Sequence, residues 1–177
     1  PIVEAPAYVG AVIIFLFVLG LFLVKGRLKW WLVGGVILSW LLSLGKNFGL
    51  LTDVFIDYVP LYNKFRAVSS IQVILELCIP VLGIFALARL FNDFEKKDTK
   101  LKALKYTTAI TAGIALIFLL FKGSLFDFSG IRDGQYLQAY GQSFIDALKA
   151  DRKTIFNTDT IRSLVLVLLS ASVIWLF

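Results

Sequence analysis

Ionisable residues are sparse in this chain, so those that border its apolar runs stand out. In GKNFGLLTDVFIDYVPLYNKFR, Asp53 and Asp57 lie four residues apart, with Lys46 before them and Lys64 and Arg66 after. That spacing puts both carboxylates on one face of a helix. Such a pair could do acid–base chemistry or hold a divalent cation, but two aspartates without a third ligand make an incomplete oxygen shell. The cations suit a phosphate, which arginine can grip through two parallel hydrogen bonds. The plainer alternative stays open: solvated aspartates, with basic side chains reaching to lipid headgroups.

Glu76 lies inside the next apolar run, and Pro80 follows four residues later. The proline ring clashes with the Glu76 carbonyl and offers it no amide, so a kink is expected beside the carboxyl group. Gln72, one turn earlier, shares that face and could hydrogen-bond to Glu76. An ionisable group at such depth faces a bundle interior or a watery cavity. It could fix helix packing, line a substrate cavity or relay protons. Further on, Ser129-Gly130 and Asp133-Gly134 bracket Arg132 and predict an exposed turn.

These residues need a scaffold, and composition indicates which. Hydrophobic residues make up 59% of the 177 and charged residues only 17%. Soluble domains run near 45–50% and about 25%, so the chain reads as a membrane protein. There is no histidine, and Cys78 is the single cysteine. A zinc, haem or Cys/His nucleophile site within the chain is therefore not expected on residue supply. No cofactor is identified, and a divalent metal is allowed but unsupported. The net charge of +6 sits in an apolar chain, where basic loops set topology or meet anionic headgroups and do not indicate nucleic acid.

Apolar runs at 8–24, 30–44, 67–91, 106–121 and 164–177 predict an all-α polytopic membrane protein of about five transmembrane helices in one helical region. The second run is short and is expected to recruit the amphipathic segment after it. The last holds 14 residues, about 21 Å of helix, short of a bilayer core of about 30 Å. With a proline first and no methionine, the expectation is an internal piece of a longer chain. The remaining parts of that chain are then its first partners.

Lysine and arginine set the orientation. Three fall within 25–29 and six within 89–105, against nine spread over 45–66 and 122–162. The dense short loops are expected in the cytoplasm and the two long ones outside. Leu50, Leu51, Val54, Phe55 and Tyr58 recur at helical spacing, predicting an interfacial helix ended by Pro60. Leu137, Tyr140, Phe144 and Leu148 predict a second amphipathic helix, and Thr158 or Asp159 a cap for the last span.

The succession SLGKNF, LTDVFIDYVPLYNKFRA, LFDFSG…DG and FIDALKADR resembles the YfhO-type bacterial membrane proteins, in the form of Bacteroidetes members, from about Trp30 to Phe177. Its most specific part is Lys46-Asn47-Phe48 with Asp57-Tyr58 through Arg66. Many relatives carry a proline and an arginine after FRA, where this chain has Val68-Ser69-Ser70. The resemblance implies a GT-C-like glycosyltransferase of the bacterial inner membrane. Such an enzyme takes a sugar from a polyprenyl-phosphate donor and passes it to a cell-envelope acceptor on the outer face. Substrate contacts would fall to Lys46, Asp57, Lys64, Arg66, Glu76 and Arg132, with the catalytic residue unknown and its carboxylate expected outside this piece. Two other classes remain open: a transporter or flippase, and a non-catalytic membrane scaffold.

Overall fold

A computed structural model describes residues 8–45, 49–59, 68–92, 95–130 and 132–176. Every regular element among them is helical: α1 (Ala11–Leu23), α2 (Arg27–Ser43), α3 (Gly49–Tyr58), a short 3-10 turn (Val68–Ile71), α4 (Gln72–Phe91), α5 (Lys97–Leu125), α6 (Asp133–Tyr140) and α7 (Gln142–Leu176). Three are long and apolar enough to cross a membrane, namely α4, α5 and α7. The run expected at 8–24 forms a helix of 13 residues, about 20 Å long, and the run at 30–44 one of 17 residues, about 26 Å. Neither reaches a full bilayer core by its own length. The second run does not recruit the segment after it, because α2 ends at Ser43 and α3 is a separate helix.

The chain divides into two compact units, Pro1–Leu104 and Lys105–Phe177. In the first, α1 and α2 both pack on α4. Phe15, Leu19 and Leu23 form one buried stripe on α1, and Ile79, Leu82 and Ala86 another on α4. Glycine lets these two backbones approach. A methyl group at Gly20 would lie 2.9 Å from the Leu82 carbonyl oxygen, and one at Gly83 would lie 3.0 Å from Leu16 Cβ. Helices in lipid associate through such small-residue contacts, since apolar surface gains little by leaving hydrocarbon. On α2, Gly35 abuts the Cys78 thiol, while buried Ser39 donates its hydroxyl to the Ile71 carbonyl at 2.6 Å.

In the second unit, α6 packs on α7. Two expectations fail here. The single amphipathic helix predicted from Leu137, Tyr140, Phe144 and Leu148 is broken at Gly141, whose φ of 83° is left-handed, a conformation glycine adopts without penalty. The last span does not start at a cap: α7 runs unbroken from Gln142 to Leu176. Thr158 instead donates its hydroxyl back to the Thr154 carbonyl at 3.0 Å, a bond made inside a helix.

Candidate functional site

The most tightly organised polar side chains lie in the second unit, where α5 gives way to α6. Asp133 opens α6 and is buried. Its carboxylate accepts from Arg152 Nη1 at 2.6 Å, Arg152 Nη2 at 2.8 Å and the Gly130 amide at 2.7 Å. Arg152 Nη1 also donates to the Phe128 carbonyl at 3.0 Å, so one guanidinium from α7 ties down both ends of the turn. Two parallel charge-assisted bonds are the strong form of this pairing. The Arg152 hydrogen bonds, then the Gly130 amide, hold the Asp133 carboxyl down to about 2. A side chain at position 130 would sit 2.9 Å from Arg152 Nη2, so the guanidinium requires glycine beneath it.

Within the turn, Asp127 accepts from the Ser129 amide at 3.0 Å and the Ser129 hydroxyl at 2.7 Å. These bonds, the amide first, lower its carboxyl below the ordinary range. The residue between them, Phe128, has φ 54°. A bulky side chain rarely occupies that region, and such a conformation persists only where surroundings fix it. Here Arg152 and the Asp127–Ser129 turn do so, along with ring packing. Phe128 lies 6.1 Å from Phe126 and 5.6 Å from Phe156, centroid to centroid. Phe118 and Phe126 complete the cluster at 5.8 Å, and Lys122 donates to Asn157 Oδ1 at 2.8 Å.

Ser124, Phe126, Asp127, Phe128, Ser129 and Phe156 border an open cleft of about 540 Å³. Its wall joins aromatic rings to two hydroxyls and a carboxylate that is ionised near neutral pH. That suits a ligand with an apolar face and a hydrogen-bonding edge. A bare phosphate would be repelled by Asp127. Arg132 is exposed and makes no side-chain hydrogen bond or ion pair among the described residues. Its backbone carbonyl accepts from the Gln135 and Tyr136 amides at the start of α6.

The first unit carries the other predicted residues. Asp57 is exposed near the end of α3, and Asp53 one turn earlier is exposed as well, which agrees with a shared face away from the core. Glu76 is exposed on α4, alongside Val73 and Leu77, and α4 continues through Pro80. Glu76 makes no hydrogen bond to Gln72, and its side chain is exposed rather than packed against the core of its unit. Lys46, Pro60, Lys64 and Arg66 lie outside the described residues. No group of three or more histidine, cysteine, aspartate or glutamate residues is placed to hold a metal among the described residues. The Asp133–Arg152 pair escaped sequence reading because its partners stand 19 residues apart, with no local spacing to link them.

Fold and site together define an all-helical chain of membrane character, with an ordered polar turn between its last two long helices. Comparison with protein-family models, with curated proteins and with solved structures gave no match.

Proposed function

We propose that this chain is the donor-binding part of a membrane-embedded glycosyltransferase of the YfhO type. It takes a sugar from a polyprenyl-phosphate carrier and delivers it to a cell-envelope acceptor. The observation that carries the reading is the turn at 126–134. LFDFSG…DG, one of the stretches behind the resemblance, is also where bidentate pairing, an Asx-type turn and a left-handed Phe128 converge on a cleft. Strain held in place by several neighbours clusters at binding and catalytic sites.

In this reading the five apolar runs lie in the bacterial inner membrane, α1 and α2 crossing it together with the residues that flank them, and the basic connectors stay in the cytoplasm. The segments at 45–66 and 122–162 face outward. Either Lys46, Lys64 and Arg66 or, on its own, Arg132 stabilises the departing lipid phosphate, as fixed cations do where charge develops, and Asp57 and Glu76 contact substrate. The base that activates the acceptor comes from another part of the full-length chain. A flippase is the second reading, favoured by one observation: Glu76 interrupts an exposed apolar face of a helix that also contains Pro80.

The test is transfer. Full-length protein in proteoliposomes receives a polyprenyl-phosphate sugar labelled in the sugar, with envelope extract as acceptor. The proposal expects label in the acceptor and release of unglycosylated polyprenyl phosphate. Movement of intact donor between leaflets, without transfer, would replace it with the flippase.

A further inference from the structure

The two short basic segments of the first unit are stapled together. Lys25 Nζ donates to both Glu95 carboxylate oxygens, at 2.8 and 3.1 Å. The Glu95 side chain is largely covered, at 11% exposure, while that of Lys25 remains 68% exposed. This hydrogen bond holds the Glu95 carboxyl below the ordinary range. It joins the α1–α2 connector to the segment that leads into α5.

Among the described residues, the staple leaves its neighbours without counter-ions. Arg27 lies two residues from Lys25, and Lys96 and Lys97 directly follow Glu95. All three are exposed, and none makes a side-chain hydrogen bond or ion pair among the described residues. Lys102 is likewise exposed further along α5, and Asp98 is the single described acid in the first turn. Beside these cations stand Trp30 and Trp31, 68% and 79% exposed. Lys29 folds back over the Trp30 ring at 4.9 Å and donates to the Leu21 carbonyl at 3.3 Å.

We propose that this surface binds anionic phospholipid headgroups of the adjacent leaflet. The inference rests on the membrane character of the chain and is independent of any transfer on the other face. Three observations select a lipid over a free anion. Clustered cations at the ends of apolar helices complement an anionic leaflet. Paired exposed tryptophans beside cations suit headgroup depth, where an amphipathic ring is stable. The cations come from two segments with no convergent donors around one point, so they match an array of headgroups better than a single phosphate. Each cation near a charged leaflet strengthens lipid affinity about 5-fold, and three give about 100-fold.

The experiment uses purified full-length protein in neutral detergent, titrated with dioleoylphosphatidylglycerol, dioleoylphosphatidylcholine or inorganic phosphate, with bound lipid counted by native mass spectrometry. The wild type should prefer phosphatidylglycerol, and the preference should weaken as salt rises from about 50 to about 500 mM, because screening shortens the field. Arg27→Gln/Lys96→Gln/Lys97→Gln should lose about 100-fold in that affinity, and the charge-preserving Arg27→Lys/Lys96→Arg/Lys97→Arg should keep it. Equal retention of the two lipids by wild type overturns the proposal. So does an unchanged preference in the glutamine variant, or competition by millimolar phosphate. Should the glutamine variant fail to fold, the wild-type salt response decides: a preference insensitive to salt also overturns it.

Discussion

The crossing of α1 and α4 yields a quantitative prediction, because two glycines in the same unit differ only in what surrounds them. At Gly20, an added Cβ would sit 2.8 Å from Leu82 Cγ and 2.9 Å from the Leu82 carbonyl oxygen. The carbonyl belongs to helical backbone and cannot swing aside, so the two helices must part locally by about half an ångström to reach ordinary contact. Overpacking of this kind costs about 1–3 kcal/mol. Alanine returns up to about 1 kcal/mol through helix propensity, which leaves Gly20→Ala about 1 kcal/mol less stable. At Gly34 nothing lies within 4 Å, so Gly34→Ala keeps the propensity gain of up to about 1 kcal/mol. The variants should differ by about 2 kcal/mol, or about 30-fold in the folded-to-unfolded ratio. The assay is reversible unfolding of the full-length protein in mixed micelles, with both variants measured side by side. Equal stability of the two, or a Gly20→Ala protein at least as stable as wild type, would refute the close crossing.

Three further outcomes follow from the second unit. Arg152→Ala should raise hydrogen exchange across 126–134 by releasing Asp133, Gly130 and the Phe128 carbonyl together, whereas Arg132→Ala should leave that protection unchanged. The pH response has a definite sign. The Asp133 carboxyl, held to about 2 against an ordinary 3.8, contributes its stabilisation fully above about pH 4, and loses it as pH falls toward 2. Pepsin cleavage within 126–134 should therefore rise steeply between pH 4 and 2 in wild type, and be high throughout that range in Asp133→Asn. Thr107 is buried with no partner for its hydroxyl among the described residues, so Thr107→Val should stabilise the protein by about 1 kcal/mol, read by the same unfolding assay.

Much of the helical layout was legible because the long helices are written as extended apolar runs, and α3 as apolar residues at helical spacing. The spacing of Leu51, Val54, Phe55 and Tyr58 located α3 to within its observed bounds. Other features lacked a sequence signal. Gly141 breaks a helix inside an uninterrupted apolar stripe; one glycine costs a helix only about 1 kcal/mol, so its left-handed φ was invisible. Thr158 and Asp159 are good capping types, but the hydrogen bond from Thr158 to Thr154 shows a helix already under way. Lys25 and Glu95 stand 70 residues apart, and only packing brings them together. Phe128 is the most hidden case, since nothing about phenylalanine announces a positive φ.

The proposal that cations at 45–66, or Arg132, hold a lipid-borne phosphate is tested most directly by donor binding. Full-length protein in nanodiscs is titrated with a polyprenyl-phosphate sugar, comparing wild type with Lys64→Ala, Arg66→Ala and Arg132→Ala. The expected result is saturable binding by wild type and at least a tenfold loss in Arg66→Ala or in Arg132→Ala, with thermal stability unchanged. Failure of folded wild type to bind the donor, or equal binding by all four proteins, would contradict it.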